Sequence, residues 1–127
     1  MLGGEECYAL LGEATLGRVA VVMGALPAIF PVNFALIAGQ VVFSTGVGTK
    51  LTAALDGGVV AFEADHVDLE KRAAWSVQVV GESMLVEPSS DMEAAALVAV
   101  RALAPLPRHF LVKIRPKFVS GRRLPPP

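Results

Sequence analysis

Charge and cysteine are both scarce in this sequence. Asp, Glu, Lys and Arg together make up 18% of the 127 residues, against about 25% in an average soluble domain. The net charge is −1, and no long basic cluster occurs. Lys113, Arg115, Lys117, Arg122 and Arg123 fall near the C-terminus, but the first three alternate along an apparent strand. Nucleic-acid binders carry a stronger electrostatic footprint, so nucleic acid is not an expected partner. The lone cysteine, Cys7, excludes an intrachain disulfide and a multi-cysteine zinc site. No Ser, His and Asp cluster accompanies it, and the expectation is an inert core thiol. His66 and His109 have no ligand spacing and are expected at the surface or in loops.

No charged residue occurs between Val19 and Thr49, a stretch longer than the roughly 20 residues needed to cross a bilayer. Pro27, Pro31, Asn33, Gly24, Gly39 and Gln40 punctuate it, and these are turn signals between short buried strands rather than one helix. No membrane partner is expected. Glu5 and Glu6 stand where a signal peptide would want Lys or Arg, so the expected location is the cytoplasm. What the chain does have is apolar side chain, 54% of its residues. A chain this short makes one domain and has too little interior for all of it. The excess implies an oligomer interface, a ligand cavity, or both.

Periodicity predicts a short helix over Glu5–Leu11 and strands over Arg18–Met23, Ala28–Ala35, Val41–Thr45, Val59–Asp65, Trp75–Glu87 and His109–Val119. Trp75–Glu87 is the longest of these. Pro31 suggests an edge or a bulge. Leu51–Leu55 favours a short helix. Ser89, Ser90 and Asp91 offer an N-cap for an alanine-rich helix over Met92–Leu103, ended by Pro105 and Pro107. On the last strand, Phe110, Val112, Ile114 and Phe118 are expected on one face, with Lys113, Arg115 and Lys117 opposite. Six short strands with turns between them suggest a small barrel over residues 1–124, and residues 125–127 are expected to form an extended, disordered proline tail. Linkers too short for successive crossovers disfavour a doubly wound sheet.

The stretch from Phe43 to Leu51, FSTGVGTKL, runs a strand into a glycine turn, and Thr49 and Lys50 then open a helix. Such a turn presents backbone N–H groups, a hydroxyl and an ammonium to a phosphate. The Walker spacing is absent.

In order along the chain stand Gly17-Arg18-Val-Ala-Val, Pro27 with Pro31-Val-Asn-Phe34, Phe43-Ser-Thr45 with Gly48-Thr-Lys-Leu51, Val60-Ala-Phe-Glu-Ala-Asp65, and Trp75-Ser-Val77 with Val80-Gly81. This succession resembles the pyridoxamine 5′-phosphate oxidase-like family of FMN-binding split barrels, and more narrowly its short bacterial branch, over about residues 3–120. The resemblance implies a mainly β, six-stranded split barrel with a few short helices, forming a homodimer with flavin mononucleotide (FMN), or alternatively a deazaflavin, at the subunit interface. Pro31, Val32, Asn33 and Phe34 would lie along the isoalloxazine ring, Thr45 would reach the ring or ribityl chain, and Thr49 and Lys50, followed by Leu51, would hold the phosphate. Trp75 and Ser76 would come from the second subunit. Each role has a structural rival. Asn33 could satisfy a turn, Trp75 could be packing, Lys50 could sit on a solvated helix start, and Arg18 could pair with Glu63 or Asp65 across strands.

The chain departs from the oxidase proper in having one basic residue at the phosphate turn instead of two, and Ala74 where this branch more often has Gly. It also lacks the C-terminal segment that carries Trp, Arg and His for the vitamin substrate, which argues against pyridoxal phosphate synthesis. The implied activity is an oxidoreductase that takes hydride from a reduced nicotinamide or deazaflavin and reduces a small planar acceptor. The alternatives are a flavin-binding or storage protein without turnover, and a dimeric barrel for another phosphate-bearing ligand. No general acid or base stands out.

Overall fold

The computed structural model describes residues 2–46, 49–100 and 109–124. Its elements run α1 Gly4–Leu11, β1 Leu16–Met23, β2 Leu26–Ile37, β3 Gln40–Gly46, α2 Thr49–Leu55, β4 Val59–Asp68, β5 Ala73–Leu85, α3 Asp91–Val100 and β6 His109–Leu124. The strands close into an antiparallel barrel in the order β1-β2-β3-β6-β5-β4. The expected six-stranded split barrel with short helices is what the chain forms. Two adjacent turn residues with positive φ, Ala38 (52°) and Gly39 (75°), join β2 to β3, as a tight two-residue hairpin requires. No helix among the described residues is long and apolar enough to cross a membrane.

Alternation along the strands sends one set of side chains inward. Val19, Val21, Val32, Phe34, Val41, Phe43, Val60, Phe62, Ala64, Val77, Val79, Val112 and Ile114 form the core, with Phe34 and Phe62 meeting edge to face at 4.7 Å between ring centres. Helix α1 contributes Cys7, Leu10 and Leu11 to this core, and α2 contributes Leu55. Helix α3 instead lies on the outer wall of β2 and β3, where Ala96 packs with Val42, Val86 and Leu111. Ser90 is its cap: Ser90 Oγ accepts from Glu93 N at 3.1 Å and Glu93 Oε1 accepts from Ser89 N at 2.9 Å, a reciprocal arrangement that satisfies amides at the helix start.

His66 is exposed, as expected of a surface residue, although it lies on β4, and His109 opens β6. Two expectations are corrected. The longest strand is β6, with 16 residues, not β5 with 13. Phe118 does not share a face with Val112 and Ile114. The β5–β6 register jumps from Val80↔Phe118 to Gly81↔Pro116, so Lys117 is an extra residue and the alternation flips there. Phe118 points outward and is 71% exposed, while Pro116, opposite Gly81, stands beside the bulge, a position where proline is tolerated. Residues 101–108, with Pro105 and Pro107, and the tail 125–127 lie outside the described residues.

The bulge brings the β6 backbone hard against β5 at Gly81. A Cβ on Gly81 would collide with the carbonyl oxygen of Arg115 and come within 3.1 Å of Pro116 Cα. Both obstacles are backbone, so neither can rotate away. Gly81→Ala is expected to cost about 1–3 kcal/mol or more by overpacking, read as a lower melting temperature, whereas Gly46→Ala, which meets nothing within 4 Å, should change it little.

Candidate functional site

Two neighbouring strand pairs separate before their strands end, and the candidate residues lie at these separations. Strand β2 pairs with β3 only from Phe34↔Phe43 to Ile37↔Gln40. Beyond Phe34 the ladder stops among the described residues, and the β2 segment through Asn33, Val32 and Pro31 pairs with Leu16, Gly17 and Arg18 of β1. On the other side of the opening, Ser44 and Thr45 continue along β6 opposite Leu111 and Phe110. The expectation that Pro31 marks an edge or a bulge is met as a local edge: at this position β2 pairs on the β1 side alone among the described residues.

Alternation divides the four β2 residues. Val32 and Phe34 are buried inward, and Pro31 and Asn33 fall on the outer side. Thr45 is buried at the end of β3, and Leu51 packs against the core from α2. Thr49 and Lys50 begin α2, but their side chains lie outside the described set. The structure therefore brings Pro31–Phe34 and Thr45 to one opening, while α2 makes its main contacts with β1 and β5. Trp75 and Ser76 are not there. They lie on β5, which stands opposite β2 in the ring, three strands away in either direction. Trp75 faces inward as part of the core and is 7% exposed, and Ser76 faces outward.

The second opening lies between β1 and β4, which pair only over Arg18–Ala20 and Ala61–Glu63. Past this contact the strands part around a cleft of about 690 Å³, lined by Leu10, Thr15 and Leu16 on one side and Asp65, His66, Asp68 and Trp75 on the other. At its margin sits a charge cluster. Arg18 Nη1 donates to Glu63 Oε1 at 2.8 Å and reaches Asp65 Oδ2 at 3.5 Å, and Ser76 Oγ donates to Glu63 Oε2 at 3.0 Å. Sequence reading anticipated the Arg18 pairing, and both candidate acids take part. It missed the Ser76–Glu63 link, which needs the β4–β5 register. Burial, joined by the neighbouring Asp65 carboxyl, pushes the Glu63 pKa up, against the opposing pull of Ser76 and Arg18. Cys7 is fully buried, and burial, with the Glu6 charge beside it, pushes its thiol up as well, in keeping with an inert core residue. Among the described residues no group of three or more His, Cys, Asp or Glu side chains could hold a metal ion.

The sequence model of the family described as pyridoxamine 5′-phosphate oxidase matches residues 4–123. The chain belongs to the pyridoxamine 5′-phosphate oxidase family. Its similarity to a protein of Mycobacterium tuberculosis, the uncharacterised Rv0080, is 38% identity over 128 residues, covering 94% of this chain and 82% of the relative. A structure of a protein of Mycobacterium smegmatis, described as FAD binding, is 34% identical with a TM-score of 0.76 and 98% of each chain covered. A Corynebacterium glutamicum structure, described as a putative pyridoxamine 5′-phosphate oxidase, is 31% identical with a TM-score of 0.82, covering 97% of this chain and 95% of that one. The family's barrel thus accounts for the succession of motifs seen in the sequence, from Gly17 to Gly81.

Because the fold holds the Glu63 proton more tightly than the unfolded chain does, protonation favours the native state. That contribution is complete below the ordinary value of 4.5 and is lost as pH rises through the higher folded value. Glu63→Gln stays neutral at every pH. It should match the wild type at about pH 3.5 and melt higher than it at about pH 8. A variant that instead loses stability only at the higher pH would show that the Arg18 ion pair outweighs burial.

Proposed function

We propose that this protein is a flavin-dependent oxidoreductase that works as a homodimer, with a flavin held at each end of the subunit interface. The observation that carries this reading is the division of the candidate residues between opposite sides of the barrel. Outer faces of β2 and β5 point away from each other, so Pro31 and Asn33 cannot meet the same ligand as Ser76 within one chain. A second copy removes the conflict. A two-fold axis running along the β1–β4 seam carries the β2 side of one protomer onto the β5 side of the other. The same wall is apolar: Ile29, Ala20, Ala61, Val80 and Phe118 are successive cross-strand partners over β2, β1, β4, β5 and β6. Ile29 is 72% exposed, as is expected of a row awaiting a second copy.

The residues present fit a flavin. Among the described residues the β2–β3 ladder ends at Phe34↔Phe43, which sets the β2 backbone over Pro31–Asn33 beside the opening, where the polar edge of a ring would lie. Within the inferred site, Lys50 supplies the charge for a phosphate, and Thr52, further along α2, has a buried hydroxyl without a partner among the described residues. The bound flavin supplies hydride or single-electron transfer, while the protein supplies position and electrostatics. Pro31 and Val32 would hold the ring, Thr45 would border it, and the partner's wall would exclude water from one side. The open side admits a small planar acceptor such as a quinone or nitro compound, and a reduced nicotinamide or deazaflavin as donor. The described FAD binding of the Mycobacterium smegmatis relative supports a flavin nucleotide, and FMN is the part that FMN and FAD share.

Purified protein loaded in parallel with FMN, FAD or a deazaflavin, then freed of excess, tests the reading. Retained flavin absorbs near roughly 370 and 450 nm, and sedimentation should report a dimer. Lys50→Ala should weaken flavin binding by about tenfold or more, the worth of a charge-assisted contact. Retention of flavin that no such donor reduces would favour a flavin carrier over an enzyme. A stable monomer, or a protein that holds none of the three, would overturn the shared-site model.

A further inference from the structure

The outer wall of β5 and β6 carries a set of hydrogen-bonding side chains that the flavin reading leaves largely unused. Ser76 stands across from Arg122, and Gln78 across from Ser120; directly opposed side chains in an antiparallel pair are about 4.5–5.5 Å apart at Cβ. With Gly121 these residues line a notch of about 290 Å³. No carboxylate lines it. Arg18, Arg115 and Arg123 each have an acidic partner, Glu63 with Asp65, Glu82 and Glu6 respectively. Arg122 has none among the described residues, and neither Gln78 nor Ser120 spends its side chain on another hydrogen bond there. Glu63 and Asp65 lie on β4, on the side of Ser76 away from Arg122, and Arg18 already engages both.

We infer that this notch binds an oxyanion, the phosphate or carboxylate of a small molecule, with Arg122 as its charge and Ser120 and Gln78 as neutral donors. A guanidinium offers a planar fork of donors that matches either group bidentately. The notch is below the roughly 300–1,000 Å³ of pockets that enclose a whole drug-sized ligand, so it takes the anionic end of a molecule whose remainder lies along the wall. The inference rests on the flavin reading only for where that molecule comes from. In the dimer the notch faces the partner's flavin site, and the anion is either the flavin's own phosphate or the acid group of a second ligand.

Inorganic phosphate titrated into the flavin-free protein, followed by amide NMR, tests the notch itself. Saturable shifts are expected at Ser76, Gln78 and Ser120–Arg122. Arg122→Ala should weaken them by about tenfold or more, Arg122→Lys should retain part of the effect, and Lys50→Ala should leave them in place. Because Arg122 is exposed, these variants should keep the wild-type melting temperature. FMN affinity then separates the sources: a loss in Arg122→Ala assigns the notch to the flavin phosphate, and no loss assigns it to a second ligand. Absence of saturable shifts in the wild type, or equal phosphate binding in Arg122→Ala, overturns the inference. So does a variant that alters sedimentation alone, since Arg122 would then be pairing with the other protomer. Failure of the flavin reading is a separate result, read from the absorption spectrum.

Discussion

A six-stranded ring makes each strand divide its length between two neighbours, and the strands here are unequal. β2 pairs with β1 from Leu26 to Asn33 but with β3 only over Phe34–Ile37. β1 meets β4 over Arg18–Ala20 alone. Buried backbone groups must find partners, so a strand that leaves its neighbour does so at the surface or beside something that can replace the lost ladder. Both departures fall beside the residues with chemical potential. One opens next to Pro31–Phe34 and Thr45, and the other opens the cleft bordered by Asp65 and Trp75.

The outer wall is divided as sharply as the strands. Helix α3 covers the flank formed by β2 and β3, burying Val42 and Leu111 under Ala96. Among the described residues no helix lies over the flank through β1, β4 and β5, and Val22 and Val59 there, with Ile29 of β2 and Phe118 of β6 at its borders, stay exposed. Beside the apolar row runs a polar one, in which Arg18, Glu63, Gln78 and Ser120 are successive cross-strand partners. An apolar stripe bordered by a paired charge cluster suits a self-complementary contact, since the stripe drives association and the charges fix its register. Glu63 is poised between these environments, with burial and Asp65 disfavouring its charge while Arg18 and Ser76 favour it.

One extra residue decides which face the end of β6 presents. At Lys117 the alternation flips, and the segment from Phe118 onward turns Phe118, Ser120 and Arg122 outward while Val119 and Gly121 face the interior. Without that bulge Phe118 would enter the core and Arg122 would follow it. The apolar row and the arginine notch both depend on this single irregularity, and Gly81 permits it because only a residue without a side chain tolerates the approach of the Arg115 carbonyl.

Much of this was legible in the residues. Hydrophobic periodicity located all six strands. Ser90 was visible as a cap, Cys7 as a core thiol, and Arg18 as a partner for Glu63 or Asp65. The motif succession carried the family. These are local properties, set by side-chain period, capping chemistry and composition within a few neighbours. What only the tertiary structure decided is lateral. Which strand stands opposite which, where each ladder stops and where the bulge falls depend on closure of the whole ring. The family resemblance assigned Pro31–Phe34 to one subunit and Ser76 to its partner, and only closure of the ring shows that the two lie on opposite sides of the barrel. Ser76 reaching Glu63, and Arg122 meeting Ser76, follow from registers between segments far apart in the chain, which no local pattern encodes.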